Sequence, residues 1–143
     1  MQVRFFVKED GSLDGNAIKG GVYHVELLKE NNDKRISLYI GESAHIAARC
    51  GKHLFKVFEE SSYFGLQEED INNDRLILEF SVLEPIDEKK PISEEHDDPY
   101  HELELKYIKK RNPLTQFSTS DRQKKKDIRI NTVQDKMIEY KFK

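Results

Sequence analysis

A chain of 143 residues is sized for one domain with a real core, and nothing in it divides 1–143 into two. Hydrophobic and charged residues each make up 36%, so a compact core surrounded by charged loops is expected. No apolar run approaches the ~20 residues that span a bilayer, the opening MQVRFFVKED lacks the apolar core of a signal peptide, and the single Cys50 excludes an internal disulfide or a cysteine-rich zinc site; the expected compartment is the cytoplasm.

The net charge of −3 hides a split. Residues 1–105 hold 12 Lys and Arg against 23 Asp and Glu, a net of −11, whereas residues 106–143 hold 12 against 4, a net of +8. A basic segment of this density is able to neutralise several phosphates, with binding that weakens steeply as salt rises. The same split is also met by a basic tail folded against an acidic body.

In chain order, VRFFVKEDG is expected to add an edge strand before Gly11. GGVYHVELLK (20–29) alternates as a strand does, with Val22, His24 and Glu26 on one side and Tyr23, Val25 and Leu27 on the other. ENNDKR is a polar turn and ISLYIGES (36–43) resumes the pattern, which predicts an antiparallel hairpin. From Ala44 to Phe58 the period becomes helical, with Ile46, Cys50, Leu54, Val57 and Phe58 as the expected buried stripe. Arg49 and His53 are four apart and therefore project from one helix face. RLILEFSVLEPI (75–86) is a third strand closed by Pro85, and DEKKPISEEHDDP is an acidic, proline-punctuated loop. A second helix should run from about Tyr100 to Arg111 and stop before Pro113. Beyond Thr119 the pattern weakens, and the end of the chain is expected to pack back as a helix or a strand. Antiparallel strands flanked by helices make an α+β sandwich.

Four groups stand out: GVY at 21–23, YIG at 39–41 followed by Ser43 and Ile46, the helical pair Arg49 and His53, and ELKYIKKRNP at 104–113. In this order they resemble the GIY-YIG nuclease superfamily, over about residues 20–117. The resemblance implies a small three-stranded antiparallel sheet with helices packed around it, and hydrolysis of a DNA phosphodiester with one divalent metal. Arg49 is then the phosphate clamp that stabilises charge developing in the transition state. Glu104 is the ligand of Mg²⁺, with Mn²⁺ as the alternative ion. Tyr23 is the residue facing the attacking water, helped by His53 because a free phenol, of pKa near ~10, is protonated at neutral pH. Tyr39 completes the hydrogen-bond cluster. Gly41 is expected to let the chain turn from strand to helix and let phosphate approach the backbone.

The chain departs from the family pattern at three places. Gln116 stands where the second motif has asparagine and keeps the amide. His45 stands where the first helix has an Asp or Asn cap, so Ser43 is expected to cap instead. Glu42 puts a negative charge near the phosphate path. Lys109, Lys110, Arg111, Arg122, Lys124, Lys125 and Lys126 are the expected DNA-backbone contacts, 118–143 being a basic extension of the core. With no separate DNA-reading domain evident, specificity falls to loops, to a homodimer or to a partner protein. The competing reading is a GIY-YIG fold used as a non-catalytic nucleic-acid or protein interaction module.

Overall fold

The computed structural model describes residues 1–60, 62–86, 99–116 and 122–143, with side chains throughout except at 99 and 122–125. The acidic loop 87–98 lies outside the described residues. The strands are β1 (Gln2–Phe5), β2 (Gly20–Lys29), β3 (Arg35–Ser43) and β4 (Leu76–Ile86), and the α-helices are α1 (Ile46–Glu59), α2 (Glu68–Ile71), α3 (Pro99–Arg111) and α4 (Arg122–Glu139). A 3₁₀ turn at Gly15–Ile18, with Asp14 accepting from the Asn16 N–H, leads into β2.

The sheet has four strands in the order β1-β4-β2-β3. Three of them form the expected antiparallel set, because β2 pairs with both β3 and β4 in antiparallel sense. The three-stranded, wholly antiparallel sheet is corrected on one count: β1 is parallel to β4, so the sheet is mixed. The added N-terminal strand stands at the sheet edge as expected, held to β4 in part by the stack of Phe5 on Phe80 at 4.7 Å.

The hairpin turn is built by Asn31 at φ +59°, a conformation asparagine tolerates, with the Asn32 N–H bonded to the Lys29 carbonyl. The β2–β3 register then slips once, between Val25 and Glu26: Val25 faces Tyr39 and Glu26 faces Ser37, leaving Leu38 as the extra residue. That bulge decides which side Tyr39 takes. Strict alternation would put Tyr39 opposite to Ile36 and Leu38, whereas the slip sends Tyr39 and Gly41 to the face that carries Tyr23, Val25 and Leu27.

This face is the core. Phe80, Leu78, Leu27, Ile36 and Leu38 are fully buried in it, under Ile46, Cys50 and Val57 of α1 and Val133 and Met137 of α4, with Phe142 closing the bottom. The helix stripe differs from expectation. His53 is buried in it and Leu54 only partly, while Phe58 is 60% exposed. Positions 46, 50, 53 and 57 follow the 3.6-residue period, and Phe58 falls one residue, about 100°, beyond it.

The opposite face carries His24, Glu26, Glu79, Arg4 and Arg35, and α3 covers part of it. Tyr107 of α3 donates to Glu84 at 2.9 Å, and Arg111 lies in the field of His24 and Glu26. The outer edge of β3 is sealed by residues 114–116. Leu114 and Thr115 N–H groups bond to the carbonyls of Ser37 and Leu38, the Thr115 hydroxyl donates to Leu38 O at 2.6 Å, and the Ile40 N–H donates to Gln116 Oε1 at 3.1 Å. Backbone groups of an edge strand need such partners or water.

Candidate functional site

Strand β2 and the bulged β3 present Tyr23 and Tyr39 side by side, with ring centroids 6.3 Å apart. Helix α1 lies across them, with its buried position 53 over the pair. Ser43 prepares the entry to that helix: its Oγ accepts the His45 N–H at 3.0 Å, while His45 makes no side-chain cap bond. The expectation that Ser43 caps the helix is corrected: its bond closes a turn ahead of α1, whose first N–H groups receive no side-chain cap.

The hydrogen bonds define a chain. The Tyr23 hydroxyl lies 2.6 Å from His53 Nε2, and His53 Nδ1 lies 2.8 Å from the Tyr63 hydroxyl. The Arg49 guanidinium lies close enough to the Tyr23 phenol to act on its proton affinity. A neutral imidazole has one N–H donor and one acceptor nitrogen, so one of the two phenols donates to His53 and the other accepts from it.

Burial sets the proton affinities. It holds the Tyr23 phenol well above its usual range, a pull that Arg49 opposes without reversing. The expectation that a neighbouring cation makes this phenol easier to ionise is thus corrected: with 1% of Tyr23 exposed, desolvation outweighs the guanidinium. Burial, then the Arg49 charge, pulls His53 down to about 4, so this imidazole is neutral at pH 7. Tyr39 is raised by burial and next by the Glu104 carboxylate, which places Glu104 of α3 within electrostatic reach of that phenol. Cys50, buried beside the pair, has its thiol pushed up to about 12 and is an inert part of the core.

Gly41 sits in β3 directly opposite Tyr23 and within the strand, so it does not turn the chain into α1. Its missing side chain serves packing instead. A Cβ there would overlap the Tyr23 hydroxyl and stand 2.8 Å from Tyr39 Cε1.

Tyr23, Tyr39, Arg49 and His53 are thus brought together, with Gly41 making the room and Glu104 nearby. Gln116 serves the β3 edge, one residue from Tyr39, by holding the Ile40 N–H. The basic residues divide. Lys109 and Lys110 are exposed on α3, and Arg111 acts on His24 and Glu26 of the opposite sheet face. Lys126 pairs with Glu60 at 3.5 Å, and Lys143 with Asp70 at 3.2 Å. Part of the basic segment is therefore folded against the acidic body. The side chains of Arg122, Lys124 and Lys125 lie outside the described residues.

Two members of the cluster have no counterpart in the sequence reading. Tyr63 follows the end of α1 and reaches back to His53, with Phe64 packed against Tyr39, His53 and Tyr63 at 5.9, 5.6 and 4.8 Å. Arg129 of α4 acts on both Tyr39 and Tyr63. Their signal was faint: SSYFGL has no periodicity, and only the four-residue steps Arg129, Val133, Met137 show that Arg129 shares the inward side of α4.

Among the described residues no group of three or more His, Cys, Asp or Glu is placed to hold a metal ion, and no helix is long and apolar enough to cross a membrane. Set against protein-family models, curated proteins and solved structures, the chain matches none of them.

Proposed function

We propose that the chain is a divalent-metal-dependent DNA endonuclease of the GIY-YIG kind, acting at the Tyr23–Tyr39–Arg49–His53 centre. One observation carries the reading: the residues of the two tyrosine tripeptides and the Arg-x-x-x-His helix, on three successive elements, meet in one cluster joined by the Tyr23–His53 hydrogen bond. A core packed for stability alone has no use for a neutral imidazole buried between two phenols and under a guanidinium.

Arg49 is exposed, carries a fixed charge, and is suited to pair with the non-bridging oxygens of a phosphodiester. Glu104 would hold Mg²⁺, which takes few protein carboxylates, keeps most of its waters and completes its shell from substrate phosphate. A Mg²⁺ held there supplies positive charge to the leaving oxygen.

The rest belongs to the chain's own groups. A phenol this hard to ionise does not act as a standing phenolate. With the imidazole proton on Nδ1, it works as a relay: the Tyr23 oxygen takes the proton of the attacking water while its own proton passes to His53 Nε2. The imidazolium so formed is held by the Nδ1–H bond to Tyr63. Phosphate bound at Arg49 cancels part of the charge that depresses His53, so the base strengthens when substrate is present. The reading requires that water reach Tyr23 along the Arg49 side.

The test is incubation of supercoiled plasmid with the protein, with and without Mg²⁺. Cleavage that needs the metal is expected, and it should fall by at least ~100-fold in Glu104→Ala and Arg49→Ala while DNA binding by Glu104→Ala persists. Folded protein that cuts neither plasmid nor branched DNA with Mg²⁺ or Mn²⁺ overturns the enzyme and leaves a binding module.

A further inference from the structure

We propose that Arg129 is a second phosphate-binding cation of this site, so that α4 completes the substrate surface. The inference rests on the nuclease reading and extends it to a helix that lies outside the region of family resemblance.

The placement of Arg129 is built into the packing. Val133 and Met137, one and two turns further along α4, are fully buried, and the three residues step along the inward side of the helix. The backbone at Arg129 is met by Gly65, at φ +74°, where a Cβ would stand 2.5 Å from the Arg129 carbonyl oxygen. The loop that carries Tyr63 and Phe64 is therefore docked directly on this turn of α4. Gln134 pins the same junction, donating to Gly65 O at 3.0 Å and to Asp70 at 2.9 Å. Lys143 adds its ion pair to Asp70, which is itself buried and holds the Gln67 N–H at 2.8 Å.

What this anchoring delivers is a half-buried arginine whose field reaches both Tyr39 and Tyr63. Arg49 acts on the same two phenols from α1. Two arginines on different helices therefore act on one pair of rings. A guanidinium presents a planar fork that matches phosphate oxygens and remains charged at every working pH. A substrate phosphate that meets Arg49 over these rings approaches the field of Arg129 as well. Lys126, three residues earlier, points to Glu60, whereas Arg129 acts on Tyr39.

The experiment measures binding of a fluorescein-labelled DNA duplex by anisotropy across a salt series, with Ca²⁺ in place of Mg²⁺, alongside plasmid cleavage in Mg²⁺. Arg129→Gln, folded as judged by circular dichroism and thermal unfolding, is expected to lower the slope of log K against log salt by about 0.9, the loss of one phosphate contact. Cleavage should fall with it. Arg129→Lys should keep the slope, because the charge remains, but lose part of the cleavage, because the fork is gone. If Arg129→Gln does not fold, Arg129→Met preserves the packing of the stem and takes its place with the same two outcomes. Wild-type slope and cleavage in the folded variant overturn the assignment and leave the nuclease reading standing. Wild-type protein that neither binds in a salt-dependent way nor cleaves overturns both.

Discussion

Replacing Gly41 by alanine tests the architecture of the cluster with one methyl group. The new Cβ overlaps the Tyr23 hydroxyl and crowds Tyr39, and neither ring has room to retreat: Tyr23 is 1% exposed and Tyr39 is packed on Phe64. Overpacking of a filled core costs about 1–3 kcal/mol. If Tyr23 shifts to relieve it, the bond to His53 Nε2 stretches and a buried nitrogen loses its partner, a further ~1–3 kcal/mol. Against this stands the usual gain of about 0.5–1 kcal/mol from restricting the unfolded chain, since Gly41 is not among the positive-φ glycines. The net is a loss of about 1–5.5 kcal/mol, or roughly 3–16 °C in Tm for a domain of this size. Differential scanning calorimetry measures it, with Gly51→Ala as the matched control. Gly51 is exposed in α1 with nothing near its missing Cβ, so that change should stabilise by up to about 1 kcal/mol. Adding Tyr23→Phe to Gly41→Ala removes the overlapping hydroxyl and should recover part of the loss, a non-additivity that neither single change predicts. A Gly41→Ala variant within a degree or two of the wild-type Tm refutes the account.

His24 and His53 are both depressed to about 4 by burial first, against an unfolded value near ~6.5, so between these values the unfolded chain binds more protons and stability falls as pH falls. Going from pH 7 to 5 should cost about 2 kcal/mol for each of them, read as a shift of the urea midpoint, and His53→Gln should flatten the profile; a wild-type midpoint that does not move sinks the claim. Gln116→Leu strips the Ile40 N–H of its acceptor and should cost about 1–2 kcal/mol in the same assay, whereas Gln116→Asn should cost less if the shorter amide still reaches; equal stability of Gln116→Leu and wild type refutes the role in sealing the edge.

Periodicity is a local property, and what it expresses was readable. The hairpin of β2 and β3, strand β4, helix α1 and helix α3 all follow from alternation or from the 3.6-residue step, and α3 runs from Pro99 to Arg111 as the proline after it requires. The site was readable where it coincides with those elements: Tyr23, Tyr39, Arg49 and His53 sit on strands and a helix that the pattern defines. What escaped depends on non-local packing. The slip at Leu38 that re-aims Tyr39 is set by cross-strand fit, the parallel pairing of β1 by a phenylalanine stack 75 residues away in sequence, and the burial of His53 in place of Phe58 by the angle at which α1 lies on the sheet. Gly41 was noticed for its freedom, but it matters for its smallness, which only the facing tyrosine reveals. Tyr63 and Arg129 arrive from a loop and from a weakly patterned helix, where the sequence has no period to follow.

The seal on β3 has a consequence for how the chain reaches this state. Its bonds join residues 76 and 77 positions apart, from Ile40 to Gln116 and from Thr115 to Leu38, while the hairpin they cover closes across a few residues. Local contacts form early and those closing long loops form late, so β3 is made well before its outer rim is covered. During that interval an unpaired row of N–H and C=O groups is open to any other strand in solution. Refolding yield should therefore fall with protein concentration even though the finished molecule keeps that rim closed, and Thr115 and Gln116 then protect the chain from its neighbours as much as they hold it together.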